Sequence, residues 1–465
     1  MNRTHTCYRR FIWSAILLSA TMAVPGRAAP VTADEAAAIA TLWLKMELHS
    51  SHLVMSAEER TARLNGLNGA QLLCLLENDE LVATPPQGAQ VLAYVVIYAQ
   101  DELVVVTADD RLEPVLVFNV QSPIRLDRQE PNFLRDFLKR NLAARWSYLR
   151  VQENRGVVVP ENPNWAFLRL RLSEGNEDPP QTDLPSIYIL WDTALWNQSP
   201  YYNDEVIVRN GNTAGIPTGC TATAIAIKLR FHTWPATGNG SHSYTDSWGT
   251  VQHSHSVNFG AETFTWANMP ATNLTSANTD VAELMYDCGV SVNMDYEVGS
   301  SAAWPSASTV NSLFRYRGTI ERTSSHDTPI IASVRGGLPV VISSSAHTVV
   351  VAGYRDSVAP YYYLNCGWGG SNNMWYNLDN MPGGDATIDR SYPYSAPSNY
   401  VYVAGSWTGS ENGNIQNPYN TLVEGNAAVP SGGQLWLKAG GYTGATTFAT
   451  PLTICSYEGT ATIAP

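Results

Sequence analysis

The stretch Pro217-Thr218-Gly219-Cys220-Thr221-Ala222 runs straight into Ala222, Ile225, Ala226 and Leu229, which fall at i, i+3, i+4 and i+7. That spacing lays one apolar stripe along a helix, and Trp234-Pro235 ends it. Cys220 therefore sits in the first helical turn. There the unpaired N–H groups and the helix dipole favour a thiolate, which is the nucleophilic form of cysteine. Gly219 beside it is expected to leave room for a substrate carbonyl. The plainer alternative is a small apolar side chain on a core helix, and the cysteine alone does not decide.

A thiolate that takes part in acyl transfer needs a base to accept and return a proton. Of the nine histidines, His347 is the best placed: it opens the strand-like run His347-Thr-Val-Val-Val-Ala-Gly-Tyr354, 127 residues after Cys220. Eighteen residues further on comes Leu364-Asn365-Cys366-Gly367-Trp368-Gly369-Gly370. The order Cys, His, Asn is that of papain-like enzymes. In that logic the Asn365 side chain holds the imidazole in one tautomer, and Trp368 shields the bond from water.

Four ordered blocks carry a family resemblance: Pro217-Thr-Gly-Cys220-Thr-Ala-Thr-Ala, Met285-Tyr-Asp-Cys-Gly-Val290 through Asn293-Met-Asp-Tyr296, His347-Thr-Val-Val, and Asn365-Cys-Gly-Trp-Gly-Gly370. Over residues 30 to about 402 the chain resembles the streptopain family of secreted papain-like cysteine peptidases. The resemblance implies an α+β fold, with a two-lobed catalytic domain over 181–402 and an inhibitory α+β propeptide with its linker over 29–180. The propeptide would be an intramolecular inhibitor, and proteins or peptides the substrates. Trp196-Asn-Gln198-Ser-Pro-Tyr201 is similar to the block that supplies an oxyanion-hole glutamine. The Gln198 carboxamide and the Cys220 N–H would then stabilise the tetrahedral oxygen, by about 2.7–4 kcal/mol per donor. The resemblance calls for no metal or organic cofactor. His242, His253 and His255 are too poorly supplied with other ligands to form a tetrahedral metal set. The sequence departs from the family at Cys366, where the best-known member has Trp, and at Ala352, where many have Asp.

Working outward, the chain has 465 residues, 44% of them apolar and 15% charged, enough for two or three domains with substantial cores. Arg3, Arg9 and Arg10, the apolar run Phe11 to Val24, and Gly26 and Ala28 read as a signal peptide over 1–28. A run of about 14 residues is short of the roughly 20 that span a bilayer. An exported protein, secreted or periplasmic and without a membrane span, is expected. The net charge of −13 becomes more negative once Arg3, Arg9, Arg10 and Arg27 leave, which argues against nucleic acid as a partner.

Thr32 with Glu35 forms a capping box before a helix running through Leu44. Val91–Tyr98, Leu103–Thr107 and Pro114–Phe118 read as a small antiparallel sheet, and residues 132–150 as an amphipathic helix. Cys74 and Cys288 sit in apolar runs and read as core. Ser173 to Pro185 reads as an exposed linker. In the last segment, 403–465, short strands between Gly-rich turns resemble the first coils of a right-handed parallel β-helix, a short all-β tail. Two rival readings stay open: an inert peptidase-like body whose tail contacts glycans or the cell envelope, and a cysteine amidase or transpeptidase using the same acyl-enzyme.

Overall fold

The structure, a computed structural model, describes residues 30–50, 55–99, 101–120, 122–126, 132–177, 187–190, 193–247, 252–345, 347–355, 360–378, 388–443 and 447–464. The leader expected over 1–28 and most of the expected linker lie outside these residues.

Helix α1 (Ala33–His49) starts where the capping box placed it, with the Thr32 hydroxyl accepting from the Glu35 N–H at 3.2 Å. It buries Ile39, Trp43 and Leu44. After α2 (Ala57–Gly66) come β1 (Gln71–Leu76), β2 (Leu81–Val82), β3 (Val91–Ile97), β4 (Leu103–Thr107) and β5 (Val115–Asn119), then α3 (Phe133–Asn154) and α4 (Pro163–Glu174). Strands β4 and β5 are buried at every position, which is why they read as unbroken apolar runs. Sequence reading missed α4 and began the linker inside it; Asn162 caps this helix, Pro163 opens it, and Gly175 closes it in a left-handed conformation.

The central residues form β6 (Ile187–Ile189), α5 (Asp204–Arg209), α6 (Cys220–His232), β7 (His242–Thr245), β8 (Ser254–Val257), α7 (Thr279–Ser291), β9 (Asp295–Glu297), β10 (Ser300–Ala302), α8 (Ala307–Leu313), β11 (Tyr316–Arg317), α9 (Asp327–Arg335), β12 (Val340–Ser343), β13 (Thr348–Arg355), β14 (Tyr361–Asn365), β15 (Met374–Tyr376), β16 (Arg390–Tyr392) and β17 (Ala396–Pro397). Helices α6 and α7 pack in one core with Phe259, Phe264 and Phe314.

The small N-terminal sheet expected from the sequence is one flank of an 11-stranded antiparallel sheet, in the order β16-β12-β13-β14-β15-β5-β4-β3-β1-β2, with β6 also on β13. The join is between β15 and β5, where Trp375 pairs with Phe118 and Tyr376 with Val117. Helix α3 lies over the join, and Phe133 and Phe137 meet Tyr376 edge-on at 5.4 and 5.3 Å.

The last module begins earlier than the sequence suggested. Strand β18 (Tyr400–Val403) pairs in parallel with β19 (Gly433–Tyr442), and β19 with β20 (Leu452–Ile463); α10 (Leu422–Ala428) connects β18 to β19. Tyr400–Val403 reads as the end of the preceding domain because nothing local marks its partner, which lies 34 residues further on. This sheet seats on the central domain through Trp436, stacked on Tyr402, whose hydroxyl donates to the Gly336 carbonyl at 2.9 Å. Among the described residues no helix is long and apolar enough to cross a membrane.

Gly337 adopts φ +77°, and a Cβ there would lie 2.4 Å from the Trp436 ring. Gly337→Ala should therefore lower the thermal midpoint by several degrees through strain and overpacking, on the order of 1–3 kcal/mol. An added Trp436→Ala should recover part of that loss, as differential scanning fluorimetry of the two variants would show.

Candidate active site

Cys220 is the first residue of α6, and the preceding Gly219 provides no side-chain cap. The N–H groups of the first turn are therefore not spent on a capping side chain. Gly219 itself has φ +86°, and a Cβ there would strike the Met294 thioether at 2.7 Å and approach the Ser301 carbonyl. Its missing side chain makes room for Met294 behind the turn. The Ser301 hydroxyl fixes the same turn by donating to the Pro217 carbonyl at 2.8 Å.

His347, 2% exposed, stands just before β13. Its N–H donates to the Ser344 hydroxyl at 3.1 Å, and its carbonyl accepts from the Ser344 N–H at 2.9 Å. The ring Nε2 lies 3.0 Å from the Cys366 carbonyl. A carbonyl only accepts, so Nε2 carries the proton. Nδ1 is buried and has no other hydrogen-bond partner, which leaves it for the thiol. Burial pushes the Cys220 thiol up, but the His347 charge and hydrogen bond, with the Thr348 backbone and hydroxyl, outweigh it and bring the thiol down to about 7. Trp368 lies over the imidazole with ring centres 4.3 Å apart and shields it from solvent.

The expected Asn365–His347 hydrogen bond does not form. Asn365 is fully buried, but its amide donates to the Ala194 carbonyl at 2.9 Å and its carbonyl accepts from the Gly367 N–H at 3.1 Å. Asn365 instead shapes the chain that presents the next residue's carbonyl to His347. Sequence reading found the right turn and the wrong atom, because a backbone carbonyl has no residue signature. Thr348 was missed for a similar reason, having read as an ordinary strand position. Its hydroxyl also lies 3.0 Å from that of Thr221 on α6, which ties the strand after His347 to the helix that Cys220 opens.

Gln198 lines the same cleft of about 590 Å³ as Cys220, His347 and Trp368. Its backbone carbonyl accepts from the Thr218 N–H at 3.2 Å, and its carboxamide forms no hydrogen bond with any described residue. The N-terminal module reaches this cleft too. Arg125 lines it, with its guanidinium 6.0 Å from the Trp368 ring centre. Asn372 holds that segment from the central domain: its Oδ1 accepts from the Arg125 N–H at 2.7 Å and its Nδ2 donates to the Arg125 carbonyl at 3.1 Å. On α3, Asp136 accepts from the Ser344 hydroxyl at 3.2 Å, three residues before His347.

The other candidates lie elsewhere. His255 is buried between the Tyr286 hydroxyl and Asp246, and His242 Nε2 lies 2.6 Å from Asn293 Oδ1. Among the described residues no group of three or more His, Cys, Asp or Glu side chains is arranged to hold a metal ion. Cys74 and Cys288 are core residues, and Cys366 is buried with its thiol donating to the Asn372 carbonyl at 3.2 Å and pushed up to about 12 by burial.

A low thiol with a proton-accepting imidazole, both facing a cleft, defines the site of a cysteine-dependent acyl-transfer enzyme. Residues 196–376 match the model of the peptidase C10 family. The thiol protease/hemagglutinin PrtT of Porphyromonas gingivalis is 25% identical over 347 residues, covering 70% of this chain and 38% of that protein. Streptopain of Streptococcus pyogenes is 27% identical over 183 residues, covering 35% of this chain and 46% of streptopain. The chain thus spans less than half the length of these curated relatives. Among solved structures, a mutant prointerpain A fragment from Prevotella intermedia aligns at 20% identity and a TM-score of 0.47, covering 70% of this chain and 98% of that one. Active interpain A from the same organism aligns at 26% and 0.36, covering 45% and 93%.

Alkylation by iodoacetamide, followed residue by residue by mass spectrometry, should find Cys220 the fastest cysteine, with a rate that rises through about pH 7. His347→Ala should move that rise to higher pH, because the opposing charge is gone while the burial remains.

Proposed function

We propose that the chain is an exported cysteine endopeptidase made as a zymogen, and that residues 29–180 are its inhibitory propeptide. The observation that carries the reading is the Cys220–His347 pair in a cleft that Arg125 of the N-terminal module also lines. The peptidase domain is read as papain-like, with its cleft between a helical lobe around α6 and a β-rich lobe around β13.

His347 Nδ1 takes the thiol proton, and the thiolate adds to the scissile carbonyl. The resulting oxyanion is stabilised by the Gln198 carboxamide and the Cys220 N–H. The same Nδ1 returns the proton to the leaving amine, giving a thioester on Cys220, and then activates the water that hydrolyses it. Throughout, the Cys366 carbonyl holds Nε2–H, and Trp368 covers the ring.

The propeptide reading is supported by the shared sheet, the Asn372 clamp and the buried ion pair in which Arg355 Nη1 of β13 meets Glu47 of α1 at 2.6 Å. Parallel pairing of β18, β19 and β20 in chain order supports reading the tail as β-helix-like, with glycan or envelope contact as a role for it. Export through the signal peptide, to the periplasm or beyond the cell, completes the proposal.

The test is to express residues 29–465 under reducing conditions as wild type, Cys220→Ala and Gln198→Ala. Wild type should shed a fragment of roughly 150 residues and digest casein, while Cys220→Ala stays whole and inactive. Gln198→Ala should lose about 10²–10³-fold in kcat with little change in KM, as expected for a donor used in the transition state. If wild type stays inactive even after an added protease trims the chain near Pro180, the peptidase reading fails. Asn372→Ala, which removes the clamp, should release the N-terminal fragment several-fold faster than wild type in the same gel assay.

A further inference from the structure

Three buried hydroxyls form a row beside Cys220: Ser343 at the end of β12, Thr348 at the start of β13 and Thr221 in the first turn of α6. The Ser343 and Thr348 oxygens lie 2.9 Å apart, and those of Thr348 and Thr221 lie 3.0 Å apart. At the end of the row, Thr221 donates to the Ala303 carbonyl at 2.6 Å. A hydroxyl has one hydrogen and a carbonyl only accepts, so this last bond fixes the direction of all three. Thr221, its hydrogen spent on Ala303, accepts from Thr348. Thr348, its hydrogen spent on Thr221, accepts from Ser343.

Thr348 is also the member of the row that meets Cys220. It lines the cleft with that residue, and its N–H and hydroxyl both bear on the thiol. Its one hydrogen therefore has two acceptors within reach, Thr221 Oγ1 and Cys220 Sγ. A neutral thiol is a weak acceptor, whereas a thiolate carries a full charge and draws donors strongly. The other titratable or charged groups lining the cleft are His347, Asp295 on β9 and Arg125 of the N-terminal module, and Asp136 on α3 bears on His347 from behind. None of them is part of the row.

We propose that Thr348 is a further working residue of this site, its hydroxyl turning from Thr221 Oγ1 to Cys220 Sγ when the thiol ionises. The proposal rests on Cys220 being the nucleophile. On ionisation the thiol proton passes to His347 Nδ1, the Thr348 hydrogen stays on its own oxygen and reorients to the sulfur, and Ser343 goes on donating to Thr348. Once the sulfur is bonded to carbon in a thioester it is no longer charged, and the hydroxyl returns to Thr221. The two threonines thus act in opposite senses. Thr348 stabilises the thiolate, while Thr221 stabilises the thiol by giving that hydroxyl a resting acceptor.

The test is pulse alkylation of Cys220 by iodoacetamide in the whole chain, read by mass spectrometry across the titration of the thiol, with pulses short enough that the chain stays full length on a gel. Thr348→Val should raise the midpoint of the Cys220 profile by about one pH unit, while Thr348→Ser, which keeps the hydroxyl, should hold it at the wild-type value. Thr221→Val should lower the midpoint by about half a unit, because only the thiol form loses a partner. A merely structural disturbance of the row would move both valine variants the same way. An unchanged midpoint in either valine variant, shifts of the same sign in both, or a Thr348→Ser profile like that of Thr348→Val would each overturn the switch. If Thr348→Val does not fold, Thr348→Ser and Thr221→Val decide in its place. Casein hydrolysis by wild type separates the two readings: digestion with unmoved midpoints sinks the switch alone, and moved midpoints without digestion sink the peptidase reading alone.

Discussion

Two residue pairs hold the molecule's two largest modules in one sheet. Where Trp375 and Tyr376 pair with Phe118 and Val117, the backbone hydrogen bonds of the N-terminal strands continue into the strands that carry His347. Side chains reinforce the seam: Phe118 stacks on Trp375, and the Arg355 guanidinium lies 5.2 Å from the Phe118 ring and 5.9 Å from that of Trp375 while it pairs with Glu47. Without the seam, β5 and β15 would each be an exposed apolar edge. The seam places α3 over the sheet, where Asp136 meets the Ser344 hydroxyl, and the segment before α3 brings Arg125 to the cleft.

The chemistry depends on a division of labour within one imidazole. The Cys366 carbonyl takes Nε2, so the ring is left one way to face the thiol. Side chains in this site are held mostly by main-chain atoms: Cys366 O for His347, and Ala194 O and Gly367 N for Asn365. Such a site tolerates changes of residue type around it better than changes of chain path. Cys366 is an instance: the carbonyl that His347 uses belongs to any residue at that position.

Local patterns made much of the fold legible. The capping box at Thr32, the periodic apolar positions of α3 and α6, and the unbroken apolar runs of β4 and β5 each record a local physical requirement, and each element lies where its pattern put it. The β5–β15 join, the partner of Tyr400–Val403 and the docking of Trp436 on Gly337 are contacts between distant segments, which no local pattern encodes. In the site the same division appears. That Cys220 and His347 share a cleft was legible because a thiol and an imidazole are residue types the sequence prints; the acceptor for Nε2 was not, because every residue has a carbonyl.

The segment from Cys366 to Asn373 is bonded at both ends of its work. Asn373 accepts from the Cys366 N–H at 2.8 Å, and Asn372 accepts at its backbone carbonyl from the Cys366 thiol while its side chain grips Arg125. One loop thus steadies the imidazole and holds the N-terminal module. Thermodynamic reciprocity applies to such an arrangement: by whatever factor a ligand in the cleft changes the loop's hold on the N-terminal module, the module changes that ligand's affinity by the same factor.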